Sequence, residues 1–232
     1  MNARIMISLT AVLAALTVVG AQKKKATASA EKDEAGEGNV RIEQFPKLGR
    51  NATLAAPGGV QGGSIIGQVF TKPRKWIVLE TKYSTDAKWQ DQLTFTWHVL
   101  LETKSASEKA REDIPPYSYF TTSVTYANIP QGTHAASVCL HPSYLERYGE
   151  PKAVGLVVAN AKGEILAGDC ESEIKGIPSH PKDEKKCFWN DREIMDAKRD
   201  GEPMIERRQG LQDRSKTIWA LVNPNDYEMV VQ

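Results

Sequence analysis

The segment that most constrains the fold is a nine-residue run in which apolar and polar side chains alternate. One face would carry Leu93, Phe95, Trp97, Val99 and Leu101, and the opposite face would carry Thr94, Thr96 and His98. A period of two is typical of a β-strand, in which successive side chains point to opposite sides. The run therefore predicts a half-buried strand with one face on a hydrophobic core.

Other runs rich in β-branched, aromatic and aliphatic residues predict about seven or eight short strands in all. They cover residues 76–83, 93–101, 117–129, 134–140, 153–159, 164–167, 217–222 and 227–231. Turn-forming residues separate them, as in a chain that forms antiparallel sheets. The sequence thus predicts a mainly β, immunoglobulin-like antiparallel β-sandwich.

Two short helices are expected as insertions between these strands, at 142–148 and 188–199. Ser143 is a plausible cap for the first helix, and Gly149 is a suitable stop. The second helix would place apolar residues on or near one face and end at Gly201.

The N-terminus has the pattern of a secretory signal peptide. Arg4 precedes an apolar run at 5–19, and Val19, Gly20 and Ala21 form a small-residue cleavage site. The run is shorter than the ~20 apolar residues that span a bilayer, which disfavours a membrane anchor. We expect residues 1–21 to be removed as a signal peptide, and no transmembrane anchor to remain afterwards. The mature protein is then expected in the periplasm, at the outer membrane surface or outside the cell.

The predicted mature chain has three further parts. Residues 22–39 contain no large apolar side chain, so we expect a disordered tether. Residues 40–64 are expected to form an irregular N-terminal segment that can dock through Ile42, Phe45 and Leu48. The sandwich domain is expected to cover 65–232.

The charge balance gives no reason to expect nucleic-acid binding. The formal net charge is +1, and cleavage after Ala21 would remove Arg4 and leave a neutral chain. Segment 182–216 mixes both signs of charge, and its most concentrated basic point is Arg207 with Arg208. That pair is too small for a nucleic-acid site, but it is a candidate contact for a ligand or a protein partner.

The chain has three cysteines, and an exported protein meets an oxidising compartment. Cys170 and Cys187 bracket a polar loop, and we expect a disulfide between them. Cys139 lies in an apolar run and is expected to be a buried thiol. A bridge that uses Cys139 and a chain with three free thiols remain open alternatives.

No motif for catalysis, metal binding or a cofactor is found in the sequence. There is no Cys-x-x-Cys pair, no His-Glu-x-x-His, no Gly-x-Ser-x-Gly and no phosphate-binding glycine loop. We therefore predict no catalytic residues, no metal, no cofactor and no enzymatic activity. Trp89 and Trp189 have polar neighbours and are candidate contact residues, whereas Trp97 and Trp219 lie in apolar runs and are expected in the core.

Three stretches together resemble a family of secreted, pilus-like proteins of verrucomicrobial bacteria, which include mucin-degrading gut species. They are KYSTDAKWQDQLTFTWHVLL at 82–101, LHPSYLERYG at 140–149 and SKTIWALVNPNDYE at 215–228. The resemblance covers roughly residues 70 to 231. It implies an immunoglobulin-like sandwich and a link to pilus-type surface structures, and it carries over no catalytic residue.

The sequence thus favours an exported structural or interaction protein at the cell surface or in the periplasm, associated with a pilus-like assembly. Its expected partners are other exported or pilus-assembly proteins, and self-association is included. The alternative is a carbohydrate-binding module that contacts host or mucin glycans, with Trp89 and Trp189 stacking on sugar rings.

Overall fold

Two strands, far longer than those predicted from the sequence, form the centre of the fold. The computed structural model describes residues 38–55, 74–103, 114–181, 184–220 and 228–230. Strand β3 (Lys75–Glu102) has 28 residues and strand β4 (Tyr117–Leu140) has 24. They pair antiparallel from Ile77 opposite Leu140 to Glu102 opposite Tyr117.

The other elements are shorter and lie around this pair. The strands are β1 (Val40–Gln44), β2 (Thr53–Ala55), β5 (Glu150–Asn160), β6 (Ile165–Ser172), β7 (Lys198–Arg199), β8 (Glu202–Pro203), β9 (Ile205–Arg208), β10 (Gln212–Asp213) and β11 (Glu228–Val230). The helices are α1 (Pro142–Tyr148) and α2 (Arg192–Met195), and 3-10 turns occupy Gly49–Ala52, Glu184–Lys186 and Arg214–Lys216.

Strand β3 folds back on itself. Tyr83 and Phe95 belong to the same strand and would lie about 40 Å apart if it were straight. Their ring centroids are 4.8 Å apart. The register with β4 is interrupted between Thr85 and Trp89, and this irregularity marks the bend. The two halves of the long hairpin thereby face each other and make the two layers of a sandwich.

The shorter strands extend the edges of each half. On the free edge of β3, β1 and β2 pair along its first half, and β5 pairs along its second half from Leu93 to Glu102. Strand β6 pairs with β5, and the outer edge of β4 carries β10, β11 and the parallel strand β9. The predicted mainly β sandwich of the immunoglobulin-like class, with two short helices, is confirmed.

The main core lies between the two layers. The alternating face predicted from the sequence supplies its centre, because Leu93, Phe95, Trp97, Val99 and Leu101 are all 0% exposed. Ile77, Leu79, Tyr83, Val138 and Leu140 face them from the other half of the hairpin. The period of two thus identified the buried face correctly.

Residues 40–55, which were predicted to be irregular, contain two strands. Strands β1 and β2 pair with β3, and Val40, Leu48 and Ala52 are buried in the main core. The pairing satisfies backbone groups that an irregular segment would leave to water. Strands β1 and β2 therefore extend the edge of the sheet, and residues 56–64 lie outside the described part of the chain.

The strand expected at 217–222 is absent over its described residues, which form a turn at 217–220. The Thr217 hydroxyl donates to the Arg214 carbonyl and accepts from the Trp219 N–H, at 2.8 and 3.2 Å. Such local bonds compete with strand pairing. Trp219, which was expected in the core, is only half-buried, while Trp97 is fully buried.

Both helices occur, with corrections to their ends. Helix α1 begins after His141, whose side chain accepts from the Ser143 N–H, so His141 and not Ser143 is the cap. Helix α2 has only four residues, and Asp191 caps it. Gly149 ends α1 with a φ of 87°, a conformation that glycine adopts without steric cost.

The predicted signal peptide at 1–21 and most of the predicted tether lie outside the described residues. The last two tether residues are described and contact β3. Gly38 accepts a hydrogen bond from the Gln90 side chain at 3.1 Å, and Asn39 donates to Asp86 at 3.2 Å. No helix in the described ranges combines the length and apolarity needed to cross a membrane.

The bend generates a stability prediction. Phe95 packs on Tyr83 across the bend and on Tyr126 of β4, with ring centroids 4.8 and 5.4 Å apart. Phe95→Ala should lower the free energy of unfolding by about 3–5 kcal/mol, because it leaves a cavity in the core. Denaturant unfolding measures this, with the surface change Thr96→Ala as control. Equal losses for the two variants would show that the bend does not depend on this contact.

Candidate functional site on the covered outer face

The second half of the hairpin has an outer face, and part of that face is covered by the chain itself. His98 of β3 lies opposite Gly155 of β5, and Gly155 lies opposite Cys170 of β6. Residues directly opposite each other in neighbouring strands share a face. These three residues therefore form one row on the side of the sheet that points away from the main core.

Trp189 lies flat over this row. Its ring is stacked on the His98 ring, with centroids 4.4 Å apart and planes inclined by 2°. A Cβ atom on Gly155 would lie 1.8 Å from Trp189 Cζ3, so only glycine leaves room for the indole. Trp189 is thus held by two contacts, one with Gly155 of β5 and one with the stacked imidazole of His98.

His98 is kept neutral by this cover. Burial lowers the pKa of His98 to about 4. Its Nδ1 atom lies 2.6 Å from the Tyr119 hydroxyl oxygen. A neutral imidazole keeps one nitrogen as an acceptor, to which the Tyr119 hydroxyl can donate. Burial also raises the pKa of Tyr119, so both groups are uncharged at neutral pH.

The outer face carries a second hydrophobic cluster that the alternation at 93–101 did not predict. Its buried members are Leu100, Tyr119, Ala153, Cys170, Cys187 and Phe188. Trp189, Ile194 and Met195 pack against them from the segment that crosses over the sheet. This half of the sheet therefore has a hydrophobic cluster on each of its faces.

The structure contains no disulfide, and Cys139, Cys170 and Cys187 are all buried and reduced. Cys170 and Cys187 nevertheless belong to the same cluster, and their side chains share a hydrogen bond. Burial raises the pKa of Cys170 and of Cys139, the latter to about 12, and so favours the protonated thiol. The pairing of Cys170 with Cys187 stays a prediction.

The two tryptophans expected to contact a ligand lie in different environments. Trp89 is 45% exposed and lies opposite Pro130 beside the bend. Trp189 is half-buried and stacks on His98 with one ring face. Because this face is occupied, Trp189 is a poor platform for a sugar ring, and the glycan interpretation loses one of its two supports.

Arg207 and Arg208 do not form a single basic point, because successive residues of β9 point to opposite faces. The Arg207 guanidinium lies 6.0 Å from the ring centroid of Tyr119, on the covered outer face. The Arg208 guanidinium lies 5.0 Å from the centroid of Tyr148 and pairs with Glu206. Tyr148 belongs to the main core, so the two charges are separated by the sheet.

No catalytic arrangement is assembled from these groups. His180 Nδ1 pairs with Asp169 Oδ2 at 2.6 Å, as in a catalytic dyad, but the neighbouring Ser179 hydroxyl donates to the Ser172 carbonyl instead. Within the described ranges, no group of three or more potential ligand side chains could hold a metal ion. The chemistry that the covered face supports is packing and hydrogen bonding.

His98, Tyr119 and Gly155 were not predicted from the sequence to lie together on this face. One signal was available, since Gly155 interrupts the apolar strand run AVGLVV. A glycine inside a strand often marks a close approach by another group. The identity of that group, Trp189, could not be read from a position 34 residues further along the chain.

The space above Gly155 yields a direct test. Gly155→Ala places a methyl group where the Trp189 ring lies, so the indole must leave the His98 ring. Trp189 should become more exposed, with a red-shifted emission, and stability should fall by about 1–3 kcal/mol. Val157→Ala, a change at another β5 position, is the matched control. Unchanged emission in Gly155→Ala would contradict the stacking.

The neutral state of His98 predicts a pH dependence of stability. The folded-state pKa lies below that of the unfolded chain, so the unfolded chain binds the proton first. Stability from this group is full above about pH 6.5 and is lost as the pH falls toward 4, by about 3 kcal/mol. Denaturant unfolding at several pH values measures the slope, which His98→Gln should reduce. An unchanged slope in that variant would assign the effect to other groups.

Comparisons with known proteins agree with the resemblance noted in the sequence. The model of a family of pilus-like proteins matches residues 63–211. A crystal structure of a protein from Akkermansia muciniphila, a verrucomicrobial gut bacterium, superposes with a TM-score of 0.57 at 19% identity. That match covers 84% of this chain and 96% of the other chain, and it shows the shared fold. None of the curated proteins matches the sequence. Since the family model spans more than half of its length, the chain belongs to this family of pilus-like proteins.

Proposed function

We propose that this chain is an exported structural protein that takes part in a pilus-like assembly at the cell surface through contacts with other exported proteins. The observation that carries the proposal is the match of the pilus-like family model to residues 63–211. The proposed export rests on the N-terminal signal pattern, with cleavage after Ala21. Residues 22–37 would then link the mature N-terminus to the sandwich.

A structural role agrees with the chemistry of the described residues. His98 is neutral, covered and hydrogen-bonded to Tyr119, and His180 is paired with Asp169. The family is a structural one and not a known enzyme family. Contacts with protein partners are therefore the role that we assign to the surface of this domain.

The outer edge of β6 is the surface that we assign to such a contact. Strand β6 ends the path β10-β4-β3-β5-β6. In its second half, Cys170 accepts a hydrogen bond from the His180 N–H at 2.7 Å, and the Ser172 N–H donates to Ser179 at 2.9 Å. Residues 178–180 thus cover that half of the edge.

The first half of β6 offers an edge for strand addition. Gly168 alternates with Cys170 and Ser172, so its backbone groups point the same way, away from β5. Within the described residues, β5 is the strand that pairs with β6. Ile165 is 52% exposed at the start of this edge. A strand of a partner exported protein, or of a second copy, could pair here through its backbone.

Trp89 and Arg207 are proposed as secondary contacts. Trp89 is 45% exposed beside the bend, and exposed tryptophan is enriched where protein interfaces have their strongest contacts. The Arg207 side chain is exposed above Tyr119. Single exposed charge pairs contribute little, so an apolar residue or a strand edge must supply most of the affinity.

The test is fractionation of producing cells that express the tagged full-length chain. The exported chain should begin at Gln22 and co-purify with pilus-like surface material. Ile165→Lys should reduce that recovery at least several-fold, because a lysine on an edge strand opposes pairing. Gly168→Pro should act in the same way, since proline removes the outward N–H group.

Ile218→Lys provides the matched control, because Ile218 is 48% exposed but lies in a turn outside β6. All variants should keep the melting temperature of the parent within a few degrees. A chain retained in the cytoplasm with its first 21 residues intact would refute the proposed export. Equal recovery of the β6 variants and the control would refute the proposed edge.

A further inference from the structure

Two cysteine thiols lie close to the start of residues 187–195, the covering segment that packs on the outer face. Cys170 is 0% exposed and lies in β6, in the same row as His98 and Gly155. Cys187 is 2% exposed and directly precedes Phe188 and Trp189. The Cys187 side chain shares a hydrogen bond with the Cys170 thiol. The pair therefore lies where the covering segment meets the sheet.

The covering segment has few other fixed points in the described part of the chain. Helix α2 has no fully buried residue, although Ile194 and Met195 are partly buried against the cluster. The hairpin of β7 with β8 forms a two-stranded sheet of its own. Phe188, fully buried, and Trp189, stacked on His98, are the main side chains that hold the segment down. A covalent bond at Cys187 would act immediately beside both.

We propose that Cys170 and Cys187 become a disulfide in the exported protein, and that this bond fastens the Phe188–Trp189 turn over His98 and Tyr119, so that reduction loosens the cover. The inference rests on the export proposed above, but not on the pilus-like assembly or on the β6 edge. It assigns a redox-dependent covalent site to a place where the structure shows two reduced cysteines.

The chemistry of the step is a two-electron oxidation. A sulfur–sulfur bond forms between the two cysteines, and both S–H bonds break. Two electrons and two protons pass to a disulfide of an exported thiol–disulfide oxidoreductase or to oxidised glutathione, which becomes the corresponding pair of thiols. Because thiolate is the attacking species and burial raises the pKa of Cys170, the bond forms during folding, before the thiols are covered.

The alternative bridges are less favourable on position. Cys139 lies on β4 opposite Val78 of β3 and Gln212 of β10. Its thiol hydrogen-bonds to Thr217, whereas Cys170 hydrogen-bonds to Cys187. A bridge from Cys139 would require one of these clusters to open, so the proposal commits to Cys170 with Cys187.

The test uses the purified full-length chain, refolded once with oxidised and reduced glutathione together and once with excess reductant. Alkylation after denaturation should find one free thiol in the first sample and three in the second. Peptide mapping without reductant should find Cys170 linked to Cys187. The oxidised protein should melt roughly 5–10 °C higher and be cleaved more slowly at Lys185, Lys186 and Lys198.

Variants separate the disulfide from general effects of oxidation. Cys187→Ser should abolish the differences between the two samples, and Cys139→Ala should preserve them. Three free thiols in the oxidised sample, or a bridge that uses Cys139, would overturn the proposal. The peptide map of the parent chain decides the bond even if a variant fails to fold. Since the refolding is done outside the cell, a failure of export leaves this result unaffected.

Discussion

The bend in β3 between Thr85 and Trp89 is the constraint on which the rest of the sandwich depends. It brings Tyr83 and Phe95 of one strand into ring contact and converts a single long hairpin into two facing layers. In β4, Pro130 accepts hydrogen bonds from Thr85 and His134 at 2.9 and 2.8 Å. Aromatic packing inside the bend and hydrogen bonds beside it therefore hold the same turn of the chain.

A second consequence of the bend in β3 is that one half of the sheet has a hydrophobic cluster on each of its two faces. The inner face packs in the main core, and the outer face packs under Phe188 and Trp189. A single missing Cβ at Gly155 makes the outer packing possible. His98 is then desolvated by an aromatic neighbour and remains neutral, so a titratable residue serves as a flat packing element.

The sequence predicted the core and the fold class but not the continuity of the strands. The alternation from Leu93 to Leu101 is a local property, and all five apolar residues are buried as predicted. Two separate strands were predicted at 76–83 and 93–101, whereas the structure has one bent strand that runs through both. A bend is stabilised by contacts between distant residues, such as Tyr83 with Phe95, and local patterning does not encode them. Likewise, the sheet faces on which Arg207 and Arg208 lie could not be predicted from the sequence, because they depend on the pairing of β9 with β4.

Because β3 and β4 are shared by the two layers of the sandwich, they also determine how the domain unfolds. In a sandwich whose layers are made of separate strands, one layer can open while the other persists. Here β3 and β4 run through both layers, and each supplies buried residues to both sides of the main core. Fraying of one layer removes the support of the other, so hydrogen exchange of the inner amides should report a single cooperative unit. In the proposed pilus-like assembly, a pulling force on either layer would therefore be borne by the whole domain.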